Sequence, residues 1–85
     1  MERRVRQYRG ISTRAAVGYL ERLGGERTGD SAVEGDGWRA AITADKVSIG
    51  PSLRLTELTV EFEGDEEIID TLIERFSQKA MRAGG

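Results

Sequence analysis

Between Asp65 and Arg82 the chain places Ile68, Ile69, Leu72, Ile73, Phe76 and Ala80 at intervals of mostly three and four residues. On a helix of 3.6 residues per turn these positions form one continuous apolar stripe, which must be buried against something. Asp65 suits the N-cap, Glu66 and Glu67 suit the positive end of the helix dipole, and Lys79 and Arg82 suit the negative end. The ordinary cover for such a stripe is a sheet, so the remaining sequence is read for strands.

It supplies them. "ERRVRQYRG" has β-compatible Val5 and Tyr8 but poor alternation, which predicts a strand near a sheet edge, ended by Gly10. Ser12 or Thr13 then caps a first helix with Ala16, Tyr19, Leu20 and Leu23 on one face, closed by Gly24-Gly25. Gly18 inside that helix costs about 1 kcal/mol, which suggests a second backbone packed close by. Asp36-Gly37 reads as a two-residue hairpin loop joining a strand near Thr28–Glu34 to one starting at Trp38. In that strand Trp38, Ala40, Ile42 and Ala44 alternate with Arg39, Ala41, Thr43 and Asp45, giving one apolar face. Asp45-Lys46 is expected to turn the chain into a further strand with Val47 and Ile49 inward, and Gly50-Pro51 marks an edge, a bulge or a break. In "LRLTELTVEFEG", Leu53 and Leu55 have one parity and Leu58, Val60 and Phe62 the other. A regular strand cannot turn both sets to one face, so a β-bulge at Thr56-Glu57 is expected. The resulting order, β-α-β-β-β-β-α, is an α+β two-layer sandwich: an antiparallel sheet with two helices on one face, in a single domain over residues 1–85.

The inventory of side chains narrows the chemistry. With no His and no Cys, the chain has no imidazole or thiolate for catalysis or for a usual zinc site. The expectation is a protein that is not an enzyme and takes no cofactor and no metal. Glu61, Glu63, Asp65, Glu66, Glu67 and Asp70 lack the loop pattern of an EF-hand, and half of them suit a helix N-terminus. "GGERTGD" and "EGDGW" read as turns, since neither has the setting of a phosphate loop. Trp38 has the inward parity of a core residue whose indole N–H needs a partner near the sheet end. No run approaches the length of a membrane span, which with the lack of cysteine fits a cytoplasmic protein.

Charge is uneven. Residues 1–27 hold seven Arg against Glu2, Glu21 and Glu26, whereas the whole chain has a net charge of −2. A solvated basic strand beside an acidic helix is the plain explanation. The functional one is an acidic protein partner gripped by Arg3, Arg4, Arg6, Arg9 and Arg14, since guanidinium forks take carboxylates in pairs.

"YRGIST" before the first helix and "IGPSLRLTELTVEFEGDEE…RF..KAMRAGG" at the end resemble the MoaD-related C-terminal domain. In some prokaryotes that domain follows a MoaD-type ubiquitin-like carrier of the molybdenum-cofactor pathway. The resemblance implies a TBP-like fold with the order already reached from periodicity. It also implies an accessory role beside a MoaD-type carrier or molybdopterin synthase, with any sulfur transfer in trans, and it supplies no functional residues. A TBP-like outline does not here predict nucleic-acid binding, because the expected outward face is mixed in sign: Arg39, Thr43, Ser48, Arg54, Thr56, Thr59, Glu61 and Glu63. Monomer and homodimer both remain open.

The alternative function lies in the tail. Ubiquitin-like modifiers and sulfur carriers react through a C-terminal Gly-Gly, and this chain closes on Gly84-Gly85. A β-grasp carrier, however, opens with a hairpin and presents its Gly-Gly after a final strand, whereas here the preceding residues read as helix. Glycine just past a helix end is also a common stop.

Overall fold

The computed structural model describes residues 1–84, with side chains through Arg82. Its elements are β1 (Glu2–Arg9), α1 (Thr13–Arg22), β2 (Glu26–Gly29), β3 (Ala32–Gly35), β4 (Trp38–Ser48), β5 (Arg54–Gly64) and α2 (Glu66–Gly84). All five strands form one antiparallel sheet in the order β1-β5-β4-β3-β2. Both helices pack on the same face, so the fold is the two-layer α+β sandwich the periodicity implies.

The core lies between the layers. Ala40 and Ile42 of β4, Leu58, Val60 and Phe62 of β5, and Val33 of β3 point at the helices. Ala16, Val17 and Leu20 of α1 and Ile69, Leu72, Ile73, Phe76 and Ala80 of α2 meet them. Phe76 is the hub: Tyr8, Tyr19 and Phe62 each set a ring edge-on to it, with centroids 5.0, 6.2 and 5.9 Å away. Ser12 caps α1, its Oγ accepting from the Ala15 N–H at 3.1 Å. Asp65 precedes α2, and its carbonyl accepts the Ile69 N–H at 2.9 Å.

Several local expectations are corrected. No bulge interrupts β5: its pairing with β4 runs without a slip from Trp38↔Gly64 to Ser48↔Arg54. Leu53 and Leu55 therefore keep the parity opposite to Leu58, with Leu53 exposed and Leu55 half-buried. Asp45-Lys46 is not a turn either, and Val47 shares the outward parity with Leu55, its register partner. The physical reason is that the helices cover only part of the long β4–β5 hairpin. β3 stops pairing at Ala41, and β1 reaches only Glu57, so the distal hairpin projects as a two-stranded ribbon. Ala44 shows the same limit, being exposed although its neighbour Ile42 is buried. The molecule is accordingly elongated, 43 × 22 × 21 Å.

The element order holds, but through a different division of the chain. The stretch expected as one strand near Thr28–Glu34 is a small hairpin, β2–β3, whereas 38–48 is one strand and not two. Asp36-Gly37 is the loop between β3 and β4 as expected, with Gly37 at a φ of 83° that favours glycine. Gly50-Pro51 lies in the loop at the ribbon tip. No backbone packs at Gly18, where a Cβ would meet nothing within 4 Å.

Candidate functional site

The face of the sheet away from the helices is bare, and register determines what stands on it. Because Leu58, Val60 and Phe62 point inward, Glu57, Thr59, Glu61 and Glu63 of β5 point outward. Beside them stand Arg3, Val5, Gln7 and Arg9 of β1, and Arg39, Ala41 and Thr43 of β4. The charges pair across strands: Arg3 with Glu61 at 2.8 Å, Arg9 with Glu57 at 2.9 Å, and Arg39 with Glu63 at 2.9 Å and Glu34 at 3.8 Å. The hydrogen bond that Arg39 donates to Glu63, more than the charges of Glu63 and Glu34, holds its guanidinium above the ordinary pKa against some desolvation. The centre of the face is thus a ladder of three arginines and four glutamates, mixed in sign as expected. Ser48, Arg54 and Thr56 are not part of it; the unbroken register gives them the other parity.

Past Glu57 the same face becomes apolar. Val47 and Leu55 pair across the ribbon, Ile49 and Leu53 follow at its tip, and the Ile49 N–H donates to the Leu53 carbonyl at 2.8 Å. Ile49 and Leu53 expose 45 % and 54 % of their surface. The conflicting parities of Leu53-Leu55 and Leu58-Val60-Phe62 were the sequence signal for this patch: two faces are apolar at different ends of one strand.

The five arginines do not converge on one surface. Arg3 and Arg9 flank the bare face, while Arg4 and Arg6 lie on the helix side of β1. Arg4 ties β1 to α2, reaching Glu2 at 3.1 Å, Asp70 at 3.7 Å and Glu66 at 3.8 Å. Its pKa is raised chiefly by the Glu2 hydrogen bond. Arg6 donates to the Val5 carbonyl at 2.9 Å and has no ion pair among the described residues. Arg14 stands apart on α1, in a shallow hollow with Glu21, Arg27 and Asp30. β1 is an edge strand, so Arg3 and Arg9 on one side and Arg4 and Arg6 on the other border its unpaired backbone edge. Tyr8 anchors that strand, sharing a 2.9 Å hydrogen bond with Ser77 of α2.

The acidic residues are dispersed in the same way. Glu61 and Glu63 serve the ladder, Glu66 and Asp70 face Arg4, and among the described residues no three acidic groups gather to hold a metal. Trp38 is 8 % exposed and packs into the core. Its indole ring lies over Gly35, where any Cβ would collide with it, and against Gly25. No hydrogen bond to its Nε1 is present among the described residues, and no buried side-chain nitrogen or oxygen lacks a partner, so the N–H meets solvent. The partner expected for it is not found. Of the tail, Gly84 ends α2, and Gly85 lies outside the described residues.

Fold and face together define a small α+β domain that presents one bare sheet face and an exposed ribbon. A family model described as archaeal MoaD-like protein matches residues 4–85, and the chain belongs to that family. The family suggests a link to MoaD-type sulfur carriers or molybdenum-cofactor biosynthesis. No curated protein matches the chain. No helix among the described residues is long and apolar enough to cross a membrane.

Proposed function

We propose that this chain is a small, non-enzymatic, cytoplasmic binding module that docks an acidic protein partner, either a MoaD-type sulfur carrier or a molybdopterin synthase. The observation that carries the reading is the bare sheet face continued into an apolar ribbon by Val47, Ile49, Leu53 and Leu55. Contiguous exposed apolar side chains with a polar surround mark interaction surfaces in small proteins. The β1 edge supplies the acidic preference. An extended acidic segment adding to that edge would find Arg3 and Arg9 on one side and Arg4 and Arg6 on the other. Charged edges also block unwanted strand pairing, so the arginines serve the isolated protein as well. Arg14 stands on α1 beside Glu21, Arg27 and Asp30 and is not counted in that edge contact. Nucleic acid is not the partner in this reading, since the ladder sets four glutamates against three arginines and leaves the face with no basic excess. Sedimentation decides between a monomer and a homodimer.

The test is affinity capture from native cytoplasm, comparing the wild-type chain with a variant carrying Arg3, Arg6 and Arg9 as alanine and a second carrying Leu53→Asp and Leu55→Asp. Recovery of a carrier or cofactor-pathway protein by the wild type alone supports the reading. Equal recovery by all three, or none by any, contradicts it.

A second reading has one observation in its favour: the family match runs through Gly84-Gly85. In that reading the chain is itself a modifier or sulfur carrier activated at Gly85. The helical conformation of α2 up to Gly84 weighs against it.

A further inference from the structure

Beside α2, on the helix layer and away from the bare sheet face, two hollows of about 330 Å³ each meet at Leu23 and Arg75. Trp38, Ile68 and Leu72 line the first, with Glu67 at its far end. Gln78, Lys79 and Arg82 line the second. The sequence explains the division. Ile68 belongs to the apolar stripe of α2 yet keeps 37 % of its surface exposed, because α1 ends at Arg22 and leaves it uncovered. Positions 75, 78, 79 and 82 follow at helical spacing, so the cations extend the same groove.

These cations are not spoken for. Arg75, Lys79 and Arg82 form no ion pair among the described residues, in a chain whose net charge is −2. The helix dipole favours positive charge near a C-terminus, but the effect fades beyond the last turn. It accounts for Arg82 and not for Arg75, which lies more than two turns before Gly84.

We propose that this groove docks an extended acidic segment of a partner protein, with an apolar side chain seated between Leu23 and Ile68 and carboxylates on Arg75, Lys79 and Arg82. Ile68 to Arg82 spans about 21 Å of helix, the length of about six extended residues. The planar fork of Arg75 takes a carboxylate in two parallel hydrogen bonds, and Lys79 and Arg82 add charge beyond it. Glu67 repels a carboxylate at the apolar end, so the acidic end of the segment points toward Arg82. The surface is separate from the β1 edge and the ribbon, and the inference does not depend on the carrier reading.

The test uses the whole chain, isotope-labelled, titrated with the N-acetylated hexapeptide Leu-Leu-Asp-Glu-Asp-Glu while amide shifts are followed. Saturable shifts centred on Leu23, Ile68, Arg75 and Lys79 are expected. The double variant Arg75→Glu, Lys79→Glu, folded by its own amide spectrum, should bind at least about tenfold more weakly. Ile68→Ser should weaken binding separately, because it removes the apolar contact and leaves the charges. Three results would each overturn the proposal: no saturable shift up to millimolar peptide, shifts confined to the bare sheet face, or equally tight binding of oligouridylate or of Leu-Leu-Lys-Arg-Lys-Arg at the same residues.

Discussion

Replacing Gly18 by alanine should stabilise the fold. Gly18 lies in the interior of α1, has ordinary helical backbone, and offers open space where the new methyl would stand, with nothing within 4 Å. Glycine in a helix interior is about 0.8–1.0 kcal/mol less favourable than alanine, mostly because it frees the unfolded chain. No steric cost offsets that gain, and the expected stabilisation is about 0.5–1 kcal/mol. For a domain of this size each kcal/mol moves the melting temperature by about 4–8 °C, so Gly18→Ala should melt about 2–8 °C higher. Thermal melts followed by circular dichroism would show the shift, and urea titration should show a higher midpoint with an unchanged slope. Ala15→Gly, one turn earlier, should cost a similar amount and calibrates the helix. A Gly18→Ala chain less stable than wild type would mean that another segment packs on Gly18, and the placement of α1 would be wrong.

Gly35→Ala should do the reverse, because its methyl collides with the Trp38 indole; a loss of about 1–3 kcal/mol in urea and a shifted Trp38 emission are expected, and an unchanged spectrum would contradict the packing. Leu53→Ser should leave stability within about 0.5 kcal/mol, since the side chain is on the exposed ribbon; a core-sized loss would revive the bulged strand. Burial, more than the opposing effects of Ser77 and Arg6, raises the Tyr8 phenol above its ordinary value of 10.0. The folded state then holds the proton to higher pH than the unfolded chain does. This stabilisation is complete below about pH 10 and is lost as pH rises through the folded value. Tyr8→Phe should cost about 1 kcal/mol at neutral pH by removing the Ser77 bond, and its alkaline loss of stability should be smaller than wild type's. Equal alkaline profiles for the two chains would refute the assignment.

The contrast between α2 and the β4–β5 hairpin shows what can be read from sequence. Ile69, Leu72, Ile73, Phe76 and Ala80 declare a buried face by spacing alone, and that face is buried. Leu53 and Leu55 are equally apolar, but whether they turn inward depends on whether the strand carries a bulge, which spacing alone does not record; the unbroken register with β4 puts them on the opposite face. The same blindness divided the middle of the chain wrongly: Asp45-Lys46 has the composition of a turn, yet continuous pairing with Thr56 and Glu57 keeps it extended. The arginines of β1 read as one basic group, and only register against β5 reveals Glu61 and Glu57 as partners for Arg3 and Arg9. The α2 groove needed tertiary structure too, since Leu23 and Arg75 are 52 positions apart.

The central functional claim is that the chain works by binding and not by chemistry at its terminus. Mass spectrometry of the protein isolated from its native cells tests this most directly. The account predicts an unmodified Gly85 carboxylate and no Gly-Gly remnant from this tail on the lysines of other proteins. A thiocarboxylate on Gly85, or such a remnant, would contradict it and make the chain a carrier or a modifier.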